Sequence, residues 1–125
     1  MLGWHISVYR LADGGQSPAT PQSSMGARLA VWQTGWRGLD WLNELVADGK
    51  CIDLGGNGYP NRYTATAEFL IPRILDSPPL ANRVWSRDES DVVLPEWEGR
   101  TVIDVEKAKA CPSNEWLLVE AWDES

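Results

Sequence analysis

Leu39, Leu42, Leu45 and Val46 recur at the spacing of one helical face. Gly49 follows where a helix end needs a residue free to take positive φ, so residues 38–50 predict one long helix. Around that helix, glycine and proline cut the chain into short runs whose alternation and β-branched content predict strands. Residues 4–11 set His5, Ser7 and Tyr9 on one face and Ile6, Val8 and Arg10 on the other. Further strands are expected over 28–34, 51–54, 63–67 and 92–94, with Asn57-Gly58 as a tight hairpin turn. Residues 101–110 and 116–122 read as a terminal hairpin joined through Pro112. A short second helix is expected over 66–75, provided that Pro72 lies in its first turn, where a missing N–H costs nothing. Residues 13–24, with two prolines and no apolar period, read as a flexible surface loop, and 76–82, with Pro78-Pro79, as another. The expected fold is α+β: one domain over residues 1–125, a mainly antiparallel sheet packed against one long helix and a short second helix.

At 125 residues the chain is long enough to bury a core without disulfide or metal staples. No stretch approaches the roughly 18 to 20 apolar residues of a membrane span. The first residues lack a basic lead and an apolar core, so a cytoplasmic address is expected. Charge is unevenly placed. Residues 1–86 carry seven acids and seven bases, while residues 87–125 carry eleven acids and four bases, so the whole net charge of -7 lies in this acidic strand and loop segment. Dispersed bases and this balance argue against nucleic acid as a direct partner, because phosphate contacts need clustered Lys and Arg. Tryptophan is abundant, eight residues against three Tyr and one Phe, and Trp97, Trp116 and Trp122 each adjoin an acid.

Catalytic templates fail on composition. With His5 the only histidine, and in an expected strand, it reads as an ordinary polar residue. No G-x-S-x-G elbow and no phosphate-binding G-x-x-x-x-G-K motif is present. Cys51 and Cys111 lie sixty residues apart, match no metal or redox spacing, and read as two separate buried thiols. No metal site and no cofactor is expected, and binding is favoured over catalysis without closing the enzymatic alternative.

Three constellations remain. Asp88, Glu89, Asp91, Glu96 and Glu98 gather five carboxylates around Trp97, and a negative field with a flat apolar anchor suits a basic protein partner. This is the preferred functional reading. Residues 55–63 offer glycine N–H groups as an anion nest with Asn57, Tyr59, Arg62 and Tyr63 around it, the ligand-binding or enzymatic alternative. Trp32, Trp36 and Trp41 cluster at the junction of strand and helix, with Trp32 and Trp36 expected as core and Trp41 at its edge. Exposed indoles could also seat a second copy of the chain, giving a homodimer. In size, acidity and poverty of catalytic residues the chain is similar in general character to the immunity proteins that bacteria keep against basic toxic enzymes, a likeness of composition that covers no motif. It implies an inhibitory protein bound to a basic enzyme.

Overall fold

A computed structural model describes residues 3–35, 38–56, 60–76 and 102–123. Six strands form one sheet: β1 (Gly3–Leu11), β2 (Met25–Gly35), β3 (Ile52–Gly55), β4 (Asn61–Thr66), β5 (Val102–Ile103) and β6 (Trp116–Asp123). Their order is β3-β4-β6-β1-β2-β5, and every neighbouring pair is antiparallel. Alternation in β1 sends Ile6 and Val8 into the main core, where they meet Trp32, Tyr63, Ala65, Leu117, Val119 and Ala121 from the other strands. Leu29 is an extra residue opposite the step from Val8 to Tyr9, and this bulge lets both Leu29 and Ala30 reach that core.

The helices α1 (Asp40–Ala47), α2 (Ala67–Asp76) and α3 (Val105–Ala110) cover this one face of the sheet. Trp41, Leu42 and Leu45 from α1, Leu70, Ile71 and Ile74 from α2, and Ala108 from α3 close the core. The fold is therefore α+β and antiparallel as expected, but among the described residues there are three short helices in place of one long and one short. The segment 38–50 yields only eight helical residues. Gly38 approaches the Thr34 side chain too closely to carry a Cβ, which ties the chain down just before the helix starts. At the other end Gly49, with φ of 76°, donates to the Val46 carbonyl, and Lys50 N–H donates to the Leu45 carbonyl, the paired bonds of a Schellman end.

Helix α2 differs in a detail with a physical cause. Pro72 is its sixth residue, in the second turn and not the first. Its missing N–H removes the bond to the Glu68 carbonyl. The start of the helix is held instead by the chain ahead of β6: Ala67 N–H donates to the Glu115 carbonyl at 2.9 Å and Glu68 N–H to that of Ser113 at 3.0 Å.

The expected terminal hairpin does not form. Only Val102 and Ile103 are strand, pairing with β2 at the sheet edge, while β6 lies between β4 and β1. Asp104 then caps α3 by accepting the Lys107 N–H at 3.0 Å, and the residues after it are good helix formers. Residues 13–24 also depart from the expected free loop, since they are bonded to the sheet at three places. The expected strand over 92–94, the Asn57-Gly58 turn and the 77–82 loop lie outside the described residues.

Candidate functional site

The face of the sheet turned away from the helices carries polar and apolar side chains side by side, with Ser7, Val31, Thr64, Leu118 and Glu120 buried, because alternation gives one side of each central strand to the main core and the other to this mixed set. Register aligns Arg62 on β4, Glu120 on β6, Ser7 on β1 and Val31 on β2 in one row. Beside it run Trp122, His5 and Gln33. On the other flank lie Thr64, Leu118 and Tyr9.

Two ion pairs organise this face and its edge. Arg62 Nε and Nη2 both approach Glu120 Oε2, at 3.0 and 2.8 Å, and the Glu120 side chain is only 4% exposed. Arg10 Nε and Nη2 bind Glu115 Oε2 and Oε1 at 2.8 and 2.7 Å, a bidentate fork that raises the Arg10 pKa through its hydrogen bonds to Glu115. Both arginines come from the charge-balanced part of the chain and both glutamates from the acidic third. Arg62 also donates through Nη1 to the Pro21 carbonyl at 2.7 Å. Thr64 Oγ1 donates to the Leu117 carbonyl at 2.7 Å and accepts from Ala19 N–H at 3.1 Å.

No family model, curated protein or solved structure matches this chain. What it can do is argued from its own residues. Among the described residues, no group of three or more His, Cys, Asp or Glu side chains could hold a metal ion. Among them too, no helix is long and apolar enough to cross a membrane.

The sequence-based candidates fall in different places. Asp88, Glu89, Asp91, Glu96, Trp97 and Glu98 lie outside the described residues, as do Asn57, Tyr59 and Trp36. Arg62 and Tyr63 are adjacent in β4 and turn to opposite faces: Arg62 is committed to Glu120 and Pro21, while Tyr63 is buried in the main core. Burial pushes the Tyr63 hydroxyl up to about 12, with Asp53 adding to the shift. Trp32 is core as expected. Trp41 is buried rather than at the edge, its ring centroid 6.1 Å from that of Trp32 and the planes tilted by 38°. Cys51 and Cys111 are both free thiols, Cys51 buried and Cys111 half-buried.

Sequence reasoning missed Glu120 and Glu115 as internal partners and counted them in the acidic field. A signal for Glu120 was present: it is the single charge within Leu-Leu-Val-Glu-Ala-Trp, a run too apolar to be a solvated face. Its partner, 58 residues away in sequence, carries no such mark.

Proposed function

We propose that the chain is a binding protein that engages, and by doing so inhibits, a basic protein partner through its acidic C-terminal third, with Trp97 as the buried anchor. The charge distribution carries this reading: eleven acids against four bases over residues 87–125. Glu115 and Glu120 are spent internally on Arg10 and Arg62, and Asp104 on capping α3, so the reading rests on the acids of residues 88–98. Asp88, Glu89, Asp91, Glu96 and Glu98 steer the partner, and Trp97 supplies the contact that is slow to leave. A ligand site on residues 55–63 is the weaker alternative, since Arg62, its only cation, already holds two acceptors.

The test begins with capture of partners at low salt on the immobilised chain and their identification by mass. The purified partner is then titrated with the wild type, with a variant bearing Asp88→Asn, Glu89→Gln, Asp91→Asn, Glu96→Gln and Glu98→Gln, and with Trp97→Ala. The amide variant is expected to slow association and flatten its salt dependence, and Trp97→Ala to weaken binding by about 2 kcal/mol or more. Unchanged association with the amide variant removes the acidic segment from the interface.

A further inference from the structure

The connection between β1 and β2 lies across β6 and reaches β4. Its base is closed by Ala12 N–H donating to the Ser24 carbonyl at 3.1 Å. Beyond that base it is fastened at three points: Trp116 N–H donates to the Gly15 carbonyl at 2.8 Å, Ala19 N–H to Thr64 Oγ1, and Arg62 Nη1 to the Pro21 carbonyl. Beneath it sits a small apolar cluster separate from the main core, in which Leu11, Ala19 and Leu118 are buried and Leu54 and Trp116 are packed alongside.

The balance of forces in this segment is unlike that of the sheet. Of residues 12–24 only Gly15 and Ala19 are buried, both nearly without side chain, so the apolar area that closure removes from water is mainly that of Leu11 and Leu118 beneath the segment. Polar fastenings add to this small seat, and each is exchanged for a bond to water when the segment lifts, so each stabilises the closed form only modestly. Gly14 and Gly15, both at positive φ, follow the base directly and supply backbone freedom there. None of the three fastenings is a ladder bond between strands, and the apolar cluster under the segment is separate from the main core.

We propose that residues 12–24 are a strap that opens and closes as one unit about its Ala12 and Ser24 base, covering and uncovering the Leu11 and Leu118 apolar seat on the sheet face away from the helices. Thr64 and Arg62 are its fasteners. This inference stands on different residues from the acidic reading and survives or fails without it.

Amide hydrogen exchange on the intact chain tests it, because the bonds separate into two reporter sets. The N–H groups of Ala19 and Trp116 are bonded across the strap, and those of Leu118 and Val119 lie within β6. The strap amides are expected to exchange about 100-fold faster than the β6 amides, by an opening that leaves the sheet intact. Thr64→Val removes the acceptor of Ala19 and the donor to the Leu117 carbonyl but no bond of the Trp116 N–H, yet it is expected to speed Ala19 and Trp116 together, by about tenfold, relative to Leu118 and Val119. Thr64→Ser keeps the hydroxyl and restores both rates. Strap amides that exchange as slowly as those of β6 in the wild type overturn the proposal, and this comparison needs no variant. Acceleration of Ala19 alone in Thr64→Val overturns it also, since the fastenings would then open independently.

Discussion

Arg62 and Glu120 face one another across the β4 and β6 ladder, and Arg62 bridges from that carboxylate to the carbonyl of Pro21. One guanidinium thus joins the centre of the sheet to the segment crossing it. The two partners are not equivalent: the Arg62 side chain is 22% exposed and that of Glu120 4%.

Removing the cation should therefore cost more than removing the anion. Arg62→Ala leaves a carboxylate buried without compensation and is expected to lower stability by about 3 kcal/mol in urea unfolding. Glu120→Ala strands a guanidinium that can turn to water and should cost less. An apolar double replacement, Arg62→Met with Glu120→Leu, is expected to be milder than Arg62→Ala. Equal losses for the two single variants would contradict this asymmetry.

Alkaline pH should unfold the protein through its buried acids. Burial, helped by Asp53, pushes the Cys51 thiol from 9.0 up to about 11 and the Tyr63 hydroxyl from 10.0 up to about 12. Between the unfolded and folded values the unfolded chain has released a proton that the native chain still holds, so stability falls as pH rises. For Cys51 the loss begins near pH 9 and reaches about 2 kcal/mol by pH 11. Cys51→Ala should remove that part of the slope in denaturant melts taken across this range, leaving the later Tyr63 loss in place.

The end of α1 depends on backbone geometry alone. A Cβ at Gly49 would meet nothing within 4 Å, so Gly49→Ala adds only the strain of a left-handed conformation at φ of 76°. A loss of about 1 kcal/mol is expected, with Gly49→Asn costing less because asparagine tolerates that region. Thermal melts of the three proteins check the order Gly, Asn, Ala.

Helix α3 depends on its cap. Asp104→Ala leaves the Lys107 N–H without its acceptor and should cost about 1 kcal/mol, while Asp104→Asn keeps the acceptor and most of the stability. Identical melting of Asp104→Ala and the wild type would mean that the cap contributes nothing.

Local spacing alone marks the short elements: strand alternation in β1, β2 and β6, the apolar face of α1, and the glycine that ends it. These follow from periods of two and 3.6 residues and from positive φ, which act between near neighbours. That spacing does not separate helix from strand over residues 101–110, because Lys107 to Ala110 alternate while Val105 and Ala108 sit three apart, and a helix capped by Asp104 forms there. The charge asymmetry of residues 87–125 was legible, but not which of its acids face inward. The tertiary fold brings Glu115 to Arg10 and Glu120 to Arg62, 105 and 58 residues apart. It alone placed β6 at the centre of the sheet and laid residues 12–24 across it. Strand order and ion pairing are settled by burial of the whole sheet against the helices on one face, and no local spacing records which distant strand will supply the neighbour.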